Sequence, residues 1–381
     1  MARATESILS FAEGLSANGV LSQLVKLSRS QPPFDGGTPR LALHGQPMRL
    51  LLMLIAVAVL TSVFFLIIGR EPLSLLWLIA TAAVGDGYAI SETLVKATPI
   101  LLCALATAVP ARFGLISVGA EGQFYFGALI GTGFVLANLS AGSWLLLPGM
   151  LIVAALAGAG WAFVPALLKL RLSVNETIST LLLNYVAALL VTWVVYGPWK
   201  NPASQGWPAT AEFPAAARLP AYFDSRVHLA LWLGIALALA LHGLLTRTRW
   251  GLTLDVLRSN PRAGKAAGLH WGRNVLITMV LGGALAGLAG ICETSAIQGR
   301  LQSSISNGAG FSGFLVAWLA RNDCLRILPL SLLVGALLAS GDGLQMLAGL
   351  PSSVALVMQG LLFVGVLLVG GWLDRKGRRG G

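Results

Sequence analysis

Five carboxylates stand among the apolar runs of this chain: Glu92, Glu121, Glu176, Glu293 and Asp342. Charges at membrane depth are costly, face a cavity or a partner, and serve as the titrating relay of ion-coupled carriers. Four of them fall near the ends of apolar runs, where water or headgroups solvate them. Glu121 is the exception, about two turns inside its run in "SVGAEGQ", beside Gln123 and between Gly119 and Gly122. Glycines at such a place permit close helix approach, or a break whose backbone lines a cavity. A second polar set, Asn175, Glu176 and Asn184, is spaced i, i+1 and i+9, so that no single helix face holds all three. Glu176 is placed to cap the helix that starts there, and Asn184 to hydrogen-bond a neighbouring helix. Glu121, Gln123, Asn175, Glu176 and Asn184 are therefore the candidate pathway or structural polar residues. His44, His228, His242 and His270 are scattered, and Cys103, Cys292 and Cys324 are isolated packing residues. Neither set has metal spacing, and no nucleophile–base constellation is visible, so no catalytic residue, metal site or cofactor is expected in this chain.

The other unusual stretch is "LRSNPRAGKAAGLHWGR", Leu257 to Arg273, a basic interruption between two apolar runs. Ser259 or Asn260 suits an N-cap, and Pro261 the first helical position, where a missing N–H costs nothing. Gly268 is placed to end the helix in a left-handed turn. About two turns lie between, too short and polar to span a bilayer but stiff and exposed. Ser259, Asn260, Pro261, Arg262, Lys265, Ala266 and Gly268 are accordingly expected to couple the chain to a partner, as a lever fitting a groove on it. Gly264–Lys265 is the nearest approach to a phosphate loop, but Ala266 follows it and Ser259 stands where the upstream glycine is required. Any nucleotide must be handled elsewhere.

These residues sit in a chain of 381 that is 56% hydrophobic and 11% charged, with mean hydropathy +0.78. Soluble domains carry about a quarter charged residues, and a membrane span needs about 20 apolar ones. The composition predicts an all-α polytopic membrane protein with spans near 49–69, 93–111, 115–138, 143–168, 177–196, 227–246, 274–294, 311–320, 327–348 and 351–372. That makes about ten transmembrane helices; the run 73–84 is short and reads as an interfacial or re-entrant piece. Twenty of the 26 Lys and Arg fall on one predicted side, which places both termini in the cytoplasm. That distribution, rather than the net charge of +11, carries the information, and it argues against nucleic acid as a partner.

The organisation that follows is a cytoplasmic arm, 1–48, amphipathic or disordered; a transmembrane domain, 49–372; and a basic tail, 373–381. Within the domain lie an extracytoplasmic loop, 196–226, rich in Pro and Trp, and the coupling loop, 257–273. Helical spacing of Ile8, Phe11, Leu15, Val20, Leu24 and Leu27 suits a pair of helices on the inner leaflet. "GGALAGLAG", Gly282 to Gly290, has small-xxx-small spacing for close helix packing, within the bundle or against a second chain.

"NPRAGKAAGL" at 260–269 with "MVLGGALAGLAGICE" at 279–293 resembles the coupling-loop region of ABC importer permeases of the ribose, branched-chain amino acid and nucleoside type. "SETLVKATPILLCALATAVPARFGLISVGAEGQFYFGALIG" at 91–131, "NETISTLLLNYVA" at 175–187, "GFSGFLVAWLARND" at 310–323 and "ASGDGLQMLAGLPSSVALVMQGLLFV" at 339–364 continue the match in collinear order over 75–372. "GAEGQ" and "NETISTLLLNY" are the most specific and point to the nucleoside and simple-sugar sub-branch. Ser117 stands where the family often has Asn, and "ARNDCLRILPLS" at 320–331 where it has a glycine-containing turn. The resemblance implies a non-catalytic permease of a bacterial inner membrane, with ATP and Mg on a separate ABC ATPase. A second permease, homologous or identical, an extracytoplasmic solute-binding protein and a nucleoside or simple-sugar cargo complete the implied set. The alternative from another class is an ion-gradient-driven secondary transporter of a small polar solute.

Overall fold

The computed structural model describes residues 46–204, 208–222 and 225–379. The chain divides into two compact units, Met1–Leu52 and Met53–Gly381, and the account below concerns the second. The expected amphipathic helices of the N-terminal arm lie outside the described residues, as do the last two residues of the basic tail.

Thirteen α-helices make up the described part. α1 is Gln46–Ile67, α2 Pro72–Val84, α3 Gly87–Arg112, α4 Ala120–Ala137, α5 Ser143–Leu172 and α6 Glu176–Tyr196; α7 is Leu229–Arg247, α8 Arg249–Ser259 and α9 Pro261–Ala266. α10, Trp271–Glu293, continues into a π turn at Thr294–Gln298; α11 is Ala309–Leu319, α12 Cys324–Ala348 and α13 Ser353–Arg379. Six are long and apolar enough to cross a membrane: α3, α5, α6, α7, α10 with its π turn, and α12. Shorter apolar stretches lie in α1, α2, α11 and α13. Among the described residues the regular elements are all helices, and the protein is a multi-pass membrane protein.

α3 is the axis of the bundle. Of its most apolar stretch, 83% is buried, because α4, α7, α10, α11 and α12 all pack on it. α2, the run expected to be interfacial, is a full helix lying on α12 and α3. Its Leu75 packs with Phe65, Leu344 and Met358.

The small-residue stripe of α10 is used inside this chain. Gly283 and Gly287 lie against Gly158 and Ala154 of α5, Gly287 also against Gly127 of α4, and Gly282 against Ala106 of α3. A Cβ at Gly287 would overlap the Ala154 carbonyl, so the close approach depends on glycine there. The long loop after α6 folds back as a cap, seated by Phe213, Ala217 and Leu219 in an apolar cluster with Leu146, Met150 and Ile291. Its prolines exclude a continuous helix, leaving one 3-10 turn at Ala215–Ala217, and its backbone pairs with the segment after α10: Thr210 N donates to the Leu301 carbonyl at 3.1 Å and Phe213 N to that of Gly299 at 2.7 Å.

Candidate functional site

Between α3 and α4 the chain leaves the helix. Leu115–Val118 is non-helical and α4 begins only at Ala120, so the run read as one span over 115–138 is shorter by about a turn. Glu121 consequently lies in the first turn of α4 rather than two turns into it. Backbone that leaves a helix among buried apolar side chains must find partners for its polar groups. α6 supplies them from side chains. Glu176 Oε1 accepts from Ile116 N at 3.4 Å, and Thr177 Oγ1 donates to the Ile116 carbonyl at 2.8 Å. Thr180 Oγ1 accepts from Val118 N at 3.2 Å. Asn184 completes the ladder, its Oδ1 accepting from Gly122 N at 2.9 Å and its Nδ2 donating to the Val118 carbonyl at 2.8 Å.

Glu176, Thr180 and Asn184 are spaced i, i+4 and i+8 and do share a face; Asn175 is the residue that stands apart. It caps α6, accepting from Thr177 N at 2.8 Å. Glu176 therefore does not cap the helix; its other oxygen is 2.5 Å from Lys169 Nζ on α5. Thr177 and Thr180 were missed in the sequence, although hydroxyls about two turns and one turn before a buried asparagine were the available signal.

Glu121 turns the other way, towards α11. It is 5% exposed. Its carboxyl group accepts from the Ser306 hydroxyl, from Gly310 N at 2.8 Å and from Phe311 N at 3.3 Å. Those two N–H groups belong to the first turn of α11, so Glu121 acts as an N-cap supplied by another helix, and the dipole of α11 favours an acceptor there. Gln123 is also buried and packs beside Gly119, where a Cβ would lie 2.8 Å from its Nε2. Ser117, which stands where the resembled family often has Asn, is buried too, its Oγ accepting from Gly119 N at 3.4 Å.

At the end of the bundle where α3 finishes, the stretch read as one short helix is the second of a pair. α8 precedes it, N-capped by Thr248, whose Oγ1 accepts from Gly251 N at 3.4 Å. Leu254 and Leu257 of α8 are fully buried in the main core. Asp255 binds Arg112, the last residue of α3, at 2.7 Å, and the Arg258 stem packs on Gly114. Ser259 ends α8, its Oγ donating to the Val256 carbonyl at 3.1 Å, and so is not the N-cap. Asn260 holds the junction, its carbonyl accepting the first bond of α9, from Gly264 N at 3.0 Å.

Gly264 is buried under Leu257, while Pro261, Arg262, Lys265 and Ala266 are exposed. α9 stops at Gly268, with φ of 78°. Gly268 N donates to the Lys265 carbonyl at 3.0 Å and Leu269 N to that of Gly264 at 2.9 Å, the paired bonds of a Schellman turn. A six-residue helix is thus held out from the bundle on a buried base, with its basic residues facing away.

A family model described as the permease component of the branched-chain amino acid transport system matches residues 89–367, which contain the α6 ladder, the α4–α11 contact and the α8–α9 pair. The chain belongs to this family of ABC importer permeases. Among relatives of the permease is the glucose ABC transporter permease protein TsgB13 of Haloferax volcanii. It is 31% identical over 332 residues, 84% of this chain and 86% of that protein. The guanosine ABC transporter permease protein NupP of Bacillus subtilis is 30% identical over 315 residues, 77% of this chain and 86% of its own. The nucleoside ABC transporter permease protein NupB of Lactococcus lactis is 27% identical over 333 residues, 84% and 92% of the two chains. No solved structure matches the permease. Its two most specific motifs, "GAEGQ" and "NETISTLLLNY", are physical complements, since the second supplies the side chains that pair the backbone leading into the first.

Proposed function

We propose that this permease forms the translocation path of an ATP-driven importer of nucleosides, with simple sugars the next cargo class, and is worked from the cytoplasm through α9. The observation that carries the reading is the mounting of α9. It is exposed, it stands on α8, and α8 is fixed both in the core through Leu254 and Leu257 and to the end of α3 through Asp255 and Arg112. A push on α9 therefore reaches the most buried helix of the bundle without passing through a flexible loop.

On this reading a separate ABC ATPase holds ATP and Mg, and closure of its dimer moves α9. The cavity between this chain and a second permease, identical or homologous, then changes the side to which it opens. An extracytoplasmic solute-binding protein delivers the cargo. The bundle crosses a bacterial inner membrane about ten times, with α1, α4, α11 and α13 added to the six longer spans and both termini inside. The cargo class rests on the names of the relatives, which transport guanosine, nucleosides and glucose.

The test is co-purification. The native complex is expected to bring down its ATPase. Replacing Arg262 and Lys265 with Glu, both exposed and outside the core, is expected to abolish that association while the permease still inserts. Retained ATPase binding in this variant would overturn the role given to α9.

A further inference from the structure

On α3, Tyr88, Glu92 and Lys96 are four residues apart and share one helix face. The first turn of α3 is exposed, with Tyr88 at 69%; farther along the same face the Glu92 side chain is 13% exposed under Arg226, and the Lys96 side chain opens again to 37% where the helix around it is buried. Other elements bring charges to it. Asp342 of α12 lies 3.5 Å from Lys96 Nζ. Arg226, from the loop before α7, is 3.0 and 3.1 Å from the two Glu92 oxygens. Glu293, at the end of α10, lies within electrostatic reach of Lys96 and Arg226.

Lys96 is nine residues into α3, about 13 Å from its first turn at 1.5 Å per residue. With α3 about 39 Å long at that rise and its apolar run starting near 93, the inner end of the stripe enters the outer margin of a hydrocarbon core of about 30 Å. Charges at that depth face water or a cavity, not lipid. The contrast with α5 is direct, since the exposed face of its corresponding half is Ile152 and Leu156. Three carboxylates and two cations nearly balance, offering donors and acceptors together without a strong field of either sign. That chemistry suits an uncharged solute with several hydroxyls, which accepts from Lys96 and Arg226 and donates to the carboxylates. Tyr88 adds a flat apolar face for a ring at the entrance.

We propose that Tyr88, Glu92, Lys96, Arg226, Glu293 and Asp342 line the outer half of the translocation path and hydrogen-bond an uncharged, polyhydroxylated ring solute in transit. The proposal rests on the importer reading above. The competing role for the same residues is a strut, in which Lys96 and Asp342 only tie α3 to α12.

The test uses the full importer complex in proteoliposomes. Cysteines are placed at position 96, 342 or 156, the last on the apolar face of α5; native Cys103, Cys292 and Cys324 are buried. Lys96→Cys and Asp342→Cys are expected to react with a charged, membrane-impermeant methanethiosulfonate added outside, and Leu156→Cys not to. Both of the first two unreactive, like Leu156→Cys, overturns the proposal. In uptake, Lys96→Met with Asp342→Asn is expected to raise KM about tenfold, the loss of one hydrogen bond to a charged group. The swapped pair, Lys96→Asp with Asp342→Lys, is expected not to restore it; a swap that returns KM to the native value shows a strut and overturns the proposal. A native complex importing none of inosine, guanosine, ribose and glucose with ATP present overturns the importer reading instead, and the labelling pattern then decides the lining of the path by itself.

Discussion

Removing the Glu121 side chain tests the junction between α4 and α11. In Glu121→Ala, three donors lose their acceptor: the Ser306 hydroxyl and the N–H groups of Gly310 and Phe311. The hydroxyl can rotate to another acceptor, and the Phe311 bond is already long at 3.3 Å. Gly310 N, at 2.8 Å, carries the main loss. A buried donor left unsatisfied costs about 1–3 kcal/mol, so two of them bring the expected destabilisation to about 3 kcal/mol. Glu121→Gln keeps one acceptor oxygen and gives up the charge, for an expected cost of about 1–2 kcal/mol. Reversible unfolding in mixed detergent micelles reads both values. A Glu121→Ala variant within about 0.5 kcal/mol of native, the range of a neutral surface change, would refute the reasoning. Because Glu121 faces α11 and not the open stripe of α3, the KM of Glu121→Gln is expected to match native. A large rise in KM at native stability would place the carboxyl group against the solute.

Asn184→Ala strips the partners of Gly122 N and the Val118 carbonyl and is expected to cost about 2–4 kcal/mol, read in the same unfolding assay. Gly287→Leu drives a side chain into the Ala154 carbonyl and is expected to prevent stable insertion, whereas Gly160→Ala, which meets open space, is expected to leave expression unchanged. Burial, with Arg226 nearby, pushes His228, which immediately precedes α7, down to about 4, against about 6.5 for the unfolded imidazole. The unfolded chain therefore takes up a proton that the fold refuses. This contribution to stability is complete above about pH 6.5 and is lost as pH falls towards 4, by up to about 3 kcal/mol. Thermal unfolding of native and His228→Gln across that window is expected to show the steeper fall in the native protein. Asp255→Arg breaks the tie between α8 and α3 and is expected to leave ATP hydrolysis running while uptake falls; adding Arg112→Asp is expected to recover part of the uptake.

The sequence carried the helices because apolar length is a local property: the runs near 143–168, 177–196 and 327–348 appear as α5, α6 and α12 with small changes at their ends. α8 was not legible. "RWGLTLDVLRS" is short and mixed, and its helical state depends on Leu254 and Leu257 entering a core built by distant segments. The break at Leu115–Val118 was hidden for the same reason, since apolar residues mask an extended backbone whose partners lie some sixty positions later on α6. Glycine spacing in α10 announced close packing, but only the fold names α3, α4 and α5 as its partners. Glu121 was visible as an anomaly, and its partners were not, because two are backbone N–H groups in the first turn of α11 and the third, Ser306, stands 185 positions away.

Uptake by proteoliposomes with and without the ATPase subunit tests the central claim most directly. With permease pair, ATPase and binding protein present, labelled nucleoside or sugar is expected to accumulate when ATP is supplied, to continue when a protonophore collapses the ion gradient, and to stop in the complex whose Arg262 and Lys265 are replaced by Glu. Accumulation that persists without the ATPase and is abolished by the protonophore would contradict the account.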